Sequence, residues 1–196
     1  MSRPLAVAVT GGIGAGKSEA LRAFARHGAA VVSSDEIVHH LLATDDELKR
    51  ALVERFGERI LGADGRPDRG AIAQIVFADR GELEWLEALL HPVVSREYMT
   101  WRDRLGQLPQ PPEVCVTEVP LLFEAGAQER FNRVVVVTAP EALRGARRQV
   151  RADERDARLL PEEEKVRRAD HVYVNEGTID ELDAWVEGLM RELTAR

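Results

Sequence analysis

"LAVAVTGGIGAGKS" occupies residues 5–18. Six residues that read as a buried strand run into an eight-residue segment holding four glycines, Lys17 and Ser18. Gly11, Gly16, Lys17 and Ser18 satisfy the spacing G-x-x-x-x-G-K-[ST]. Glycines let backbone N–H groups converge on phosphate oxygens with no side chain in the way. A helix starting near Lys17 adds the positive end of its dipole. Lys17 is then placed for β- and γ-phosphates, and the Ser18 hydroxyl for Mg²⁺. The chain has only three lysines, Lys17, Lys49 and Lys165, and otherwise uses arginine. A compact ammonium at 17 suits a narrow phosphate cradle better than a planar guanidinium does.

Working outward, four further valine-rich segments read as strands: 29–34, 113–119, 133–139 and 171–175. Most are apolar on both faces, the pattern of a parallel sheet covered by helices on both sides. Helical patterns alternate with them at Lys17–His27, Glu141–Arg151 and Thr178–Leu193, with Thr178 as the expected N-cap of the last. The expected fold is α/β with a five-stranded parallel sheet flanked by helices. About eighty residues separate the second and third strands, where a crossover needs roughly ten to twenty. They read as five helices, 35–43, 46–56, 69–78, 81–90 and 93–105, with a turn at Gly62–Gly70. Such an insertion suits either a lobe that grips a second substrate or extra helices packed on the core.

Composition sets bounds. The chain is 196 residues long with a net charge of −7, which argues against non-specific nucleic-acid binding. No apolar run approaches the roughly 20 residues of a membrane span, and the N-terminus makes a poor signal peptide. Cys115, the one cysteine, excludes an intrachain disulfide and is expected in the core of the third strand. The expected location is the cytoplasm. Neither an N-K-x-D base-reading motif nor a helicase-like acidic box is found, so size and the helical insertion favour a small-molecule kinase.

Several residues admit two readings. Asp35, in "VVSSDEIVHH", lies where ligands bind beyond strand ends; it is either a proton acceptor or the cap of a helix starting at Glu36. In "TEVPLLFEAG" (117–126), Leu121–Phe123 form either a substrate-side wall flanked by Glu118 and Glu124 or a strand terminus packed on a helix. Glu118 could reach a metal through water. His91 precedes Pro92, read as the first residue of a helix, and either caps that helix or contacts substrate.

The chain resembles the dephospho-coenzyme A kinase family. The resemblance rests on "VTGGIGAGKS", "VVSSDEIV", "GRPDRGAIAQIVF", "ALLHPVV", "EVPLLFEAG" and "LPEEEKVRRADHVYVNEG", in order across nearly the whole sequence. It implies transfer of the ATP γ-phosphoryl group to the ribose 3′-hydroxyl of dephospho-coenzyme A, the last step of coenzyme A synthesis, with Mg²⁺. It also implies a core at about 1–35 and 113–196, a helical substrate lobe at about 36–112 and a lid at about 145–165. Gly11, Gly12, Ile13, Gly14, Ala15, Gly16, Lys17, Ser18 and Glu19 fall on the nucleotide side, with Asn175 and Gly177 near adenine. Asp35 falls on the catalytic aspartate. Arg69, His91, Pro120, Leu121, Leu122, Phe123 and Glu124 fall on the substrate side, and Arg147 and Arg151 are candidate lid arginines. A monomer is the plain expectation, with no nucleic-acid or membrane partner. Other readings on the same core are another small-molecule or nucleoside kinase, or a non-catalytic nucleotide-binding regulator.

Three departures from the family pattern stand out. Ser33-Ser34-Asp35 replaces the usual Asp-x-Asp, so one carboxylate is lost. Glu19 stands where threonine is usual. Between Pro140 and Pro161 the chain is shorter by roughly two helical turns, and Leu159 stands where glutamine is common. A stubby lid would exclude water less well and favour ATP hydrolysis.

Overall fold

The computed structural model describes residues 3–147 and 160–195, with the side chains of 146 and 147 outside the description. Five strands form one sheet: β1 (Leu5–Thr10), β2 (Ala30–Ser33), β3 (Val114–Glu118), β4 (Arg133–Thr138) and β5 (His171–Val174). All pairings are parallel, in the order β2-β3-β1-β4-β5. The strand bounds fall within about a residue of those read from the valine pattern. β2 and β3 lie on one side of β1, and β4 and β5 on the other. The loop leaving β1 therefore opens where the strand order changes direction, the place such sheets use for ligands.

The period-two alternation of each strand sorts its side chains between two layers. Val7, Val9, Val114, Val116, Val135 and Val137 face a core built with α1 (Lys17–Arg26) and the final helix (Ile179–Thr194), including Phe24, Leu182 and Val186. Ala8, Val134 and Val136 face the opposite layer, with Leu122, Phe123 and Ala127. Cys115 is buried in β3, and burial pushes its thiol up to about 11, which leaves it without nucleophilic character near neutrality.

The chain divides into two compact units, Met1–Ser34 with Tyr98–Arg196, and Asp35–Glu97. The second unit holds α2 (Ser34–Thr44, from its second residue), α3 (Asp46–Phe56), α4 (Arg69–Ala78) and most of α5 (Arg80–Leu105). Asp45 caps α3 through hydrogen bonds from Glu47 and Leu48 N–H, and Asp68 caps α4 through Ala71 N–H. Leu48, Leu52 and Phe56 of α3, and Ile72 and Val76 of α4, are buried. Phe56 meets the Trp85 ring edge-on at 5.3 Å. Leu61 and Pro67 bridge the turn expected at Gly62–Gly70.

One expectation fails here. Residues 81–90 and 93–105 were read as two helices with Pro92 opening the second; they form one 26-residue helix with Pro92 inside it. The proline removes one i→i−4 hydrogen bond and crowds the carbonyl of Ala88, at about 3 kcal/mol. Tertiary contacts of the helix, among them the buried Tyr98 and the Trp85 ring against Phe56, offset that local penalty. In the first unit, Tyr98 is buried and packs on Phe131 at 5.2 Å. There too, Arg102 donates to Pro4 O and Asn132 Oδ1 at 2.9 and 2.8 Å. His91 is consequently a half-buried residue of a helix interior and not a cap.

The remaining helices are α6 (Glu141–Arg147), α7 (Glu162–Arg168) and α8, the final helix already given. Among the described residues, no helix is long and apolar enough to cross a membrane.

Candidate active site

The phosphate loop is built by its neighbours as much as by its own sequence. Gly16 adopts φ +101 and ends the loop as the left-handed residue before α1, with no side-chain cap among the described residues. The first N–H groups of α1 thus face the loop without a protein acceptor from a cap, the arrangement that receives an anion. Gly16 is also required by space, since a Cβ there would collide with Asn175 Nδ2. That amide donates to Ala15 O at 2.8 Å and is buried at the end of β5. Asn175, expected near adenine, is in this structure a strut that holds the loop from just beyond the end of β5. Gly177 precedes the N-cap of α8. There Thr178 Oγ1 accepts from Glu181 N–H, and Glu181 Oε2 accepts from Thr178 N–H, a capping box.

Lys17 Nζ donates to Gly12 O at 3.0 Å, so the ammonium folds back across its own loop. Ser18 Oγ donates to Glu118 Oε2 at 3.3 Å. Glu118 ends β3 and is nearly buried. It is in register with Val9 on one side and Ser33 on the other. Parallel partners in register point to the same face. The carboxylate missing at Ser33 has a counterpart one strand over, within reach of Ser18. The residues fit a hard cation: oxygen donors from Ser18 and Glu118 leave room for phosphate oxygens and water, as Mg²⁺ prefers. Among the described residues there is no cluster of three or more His, Cys, Asp or Glu side chains that could cage a metal by itself.

Glu19 raises no conflict with phosphate. Its carboxylate turns along α1 and accepts from Arg22 at 2.8 Å and Arg26 at 3.3 Å. The Arg22 hydrogen bond, aided by Arg26, holds it below the usual carboxylate range.

Asp35 is exposed in the first turn of α2, which begins at Ser34, directly after β2. It is not the cap of a helix starting at Glu36, because the helix already includes it. Arg69 opens α4, exposed, and borders a cavity of about 330 Å³ in the second unit lined also by His39, Leu42 and Arg66.

The segment after β3 departs from its expected role. Pro120 and Leu121 are half-buried, but Leu122 and Phe123 are 0% and 5% exposed and belong to the core, not to a ligand wall. The chain turns back under the sheet there, where apolar side chains find the layer on its second face. Glu124 is likewise occupied. Its Oε1 accepts from Leu160 N–H at 2.9 Å and lies 2.8 Å from Lys165 Nζ, an ammonium only 1% exposed. Glu124 anchors the chain where it re-enters the core.

Arg147 ends α6, but its side chain and all of Arg151 and Leu159 lie outside the described residues. The arginine brought to the loop is Arg144, not singled out from sequence. Its guanidinium abuts Gly12 and pairs with Glu141 and, at 2.6 Å, with Glu162. The clue in the sequence was only its position four residues after Pro140, in the middle of a short helix.

Comparison with known proteins gives these parts a common context. The family described as CoaE, dephospho-CoA kinase, matches residues 5–181. A dephospho-CoA kinase from Methylococcus capsulatus is 39% identical over 95% of this chain and 96% of its own length. A Thermus thermophilus protein of known crystal structure is 34% identical, with a TM-score of 0.75, covering 99% of this chain and 100% of that one. A dephospho-CoA kinase from Campylobacter jejuni shares the fold at a TM-score of 0.70 and 24% identity, over 96% of each chain. With its phosphate loop, its parallel sheet and its helical insertion all inside the matched span, this chain belongs to the dephospho-CoA kinase family.

Proposed function

We propose that the chain transfers the γ-phosphoryl group of ATP to the ribose 3′-hydroxyl of dephospho-coenzyme A, giving coenzyme A and ADP. The observation that carries this reading is the pairing of Ser18 with Glu118 beside an uncapped helix start, in a chain of this family. The 3′-oxygen forms a bond to the γ-phosphorus while the bond to the β,γ-bridging oxygen breaks, and ADP leaves. Asp35 accepts the hydroxyl proton; it is exposed, two residues beyond the end of β2. Lys17 exchanges the Gly12 carbonyl for phosphate oxygens and stabilises the charge that builds there. Mg²⁺, held by Ser18 with Glu118 behind it, would supply charge neutralisation at the β- and γ-phosphates. Arg69 and His91 of the second unit are assigned to the acceptor, and Arg147 and Arg151 to the transferring phosphoryl group.

The test is a coupled assay with ATP, Mg²⁺ and dephospho-coenzyme A, run beside adenosine and nucleoside monophosphates as acceptors. Phosphorylation of dephospho-coenzyme A alone is expected. Asp35→Asn should lower kcat by about 10²–10⁴-fold while ATP still binds. Activity retained in that variant removes the base assignment, and preference for another acceptor removes the substrate.

A further inference from the structure

The P-loop has a neighbour that the phosphate-binding motif does not call for. Arg144 lies on α6, and its guanidinium fills the space where a Cβ on Gly12 would sit. A Cβ on Gly14 would collide with the Arg144 carbonyl, so the loop comes close to this residue at two positions. The side chain is 17% exposed and is gripped by carboxylates from two helices, Glu141 of α6 and Glu162 of α7. Its Nε is buried with no hydrogen-bond partner among the described residues. Glu141 and Glu162 flank residues 148–159 in the chain, so one cation joins both roots of that segment to the loop.

The charges explain why an arginine is needed. Two carboxylates stand one guanidinium away from a loop that must accept a polyanion. Without the cation, the half-buried Glu162 would repel the incoming phosphates where charges are weakly screened, and the more exposed Glu141 would add a smaller, better-screened repulsion. Burial pushes the Glu162 carboxyl above its usual range, and the Arg144 charge opposes that rise.

We propose that Arg144 is a positioning residue of the phosphate loop, bracing Gly12 and Gly14 and screening Glu141 and Glu162 from the nucleotide's phosphates. The inference rests on the proposed ATP-dependent function. Lys17 and Ser18 act on the phosphates directly, whereas Arg144 acts through the loop and through the two carboxylates.

The test is calorimetric ATP binding with steady-state kinetics on the full chain. Arg144→Gln should weaken ATP binding and raise the KM for ATP about tenfold. The kcat at saturating ATP and the KM for dephospho-coenzyme A should stay within about twofold. Adding Glu162→Gln should recover most of the lost affinity, because it removes one of the exposed carboxylates; a packing role would not be rescued this way. Arg144→Lys, which keeps the charge, should stay within about threefold of wild type and serves if the glutamine variant folds poorly. Unchanged ATP affinity in Arg144→Gln, no recovery in the double variant, or a loss confined to kcat would each overturn the proposal. The binding measurement separates it from the functional reading: a wild type that binds ATP but phosphorylates no acceptor sinks the latter and leaves the brace to be judged by Kd.

Discussion

Asn175→Ala tests whether the phosphate loop is held from outside. The amide donates to Ala15 O at 2.8 Å across 160 residues of sequence. Both residues are buried, at 8% and 0% exposure. Removing the donor leaves a buried carbonyl without this partner and opens a gap beside Gly16. An orphaned buried acceptor costs about 1–3 kcal/mol. For a chain of this size, 1 kcal/mol moves Tm by about 2–4 °C, so a fall of about 2–12 °C is expected. If the loop must be re-ordered when nucleotide binds, the same energy reappears as a rise in the ATP Kd of about 5–150-fold. Differential scanning fluorimetry without ligand and calorimetric ATP titration read the two effects. An adenine-contacting role makes the opposite forecast: an unchanged Tm and an altered preference between ATP and GTP. That pair of results would refute the strut.

Two further predictions follow from charges elsewhere in the fold. Lys165→Met leaves the Glu124 carboxylate in its poorly hydrated place with, among the described residues, Leu160 N–H against it. Breaking such a pair costs about 3–5 kcal/mol, and adding Glu124→Gln should restore most of it; a single variant within 2 °C of wild type by calorimetry, roughly a 1 kcal/mol change or less, would contradict this. Asp183 accepts from Arg26 at 2.7 Å and pairs with His27 at 3.0 Å, and the Arg26 hydrogen bond, followed by that of His27, holds its carboxyl below the usual range. A depressed folded pKa gives stability that is present above the unfolded value and lost as pH falls through the folded one. The Tm gap between wild type and Asp183→Asn should therefore be full near neutrality and close below about pH 4, and a gap independent of pH would exclude the linkage.

What the sequence revealed depends on how local each cause is. The strands were legible because buried parallel strands need apolar side chains on both faces, and "RVVVVT" meets that need residue by residue. The phosphate loop was legible because its chemistry lies within eight positions. The helix through Pro92 was not, because the proline penalty is local while the burial that outweighs it comes from tertiary neighbours. Nor was the inward turn of Leu122 and Phe123, since an apolar run at a strand exit looks the same whether it meets ligand or core. Asn175 was singled out by family pattern, and geometry adds a hydrogen bond to Ala15 O that no local pattern announces. Among the arginines between 144 and 151, only Arg144 is described against the loop, and sequence offers no phase reference to choose it.

The anchor at Glu124 has a consequence for how this enzyme family can vary. After α6, the next described residue is Leu160, which is tied to Glu124 by one hydrogen bond, with one buried ion pair from Lys165 a few residues on. That anchor sets where α7 and β5 begin, independently of the length of the preceding stretch 148–159. Lengthening or trimming it alters loop-closure entropy by only about 0.6 kcal/mol per doubling and leaves the register of β5 untouched. A change of length in that stretch is therefore compatible with an unaltered core. A longer stretch from a relative could be spliced in ahead of Leu160 without redesigning the sheet.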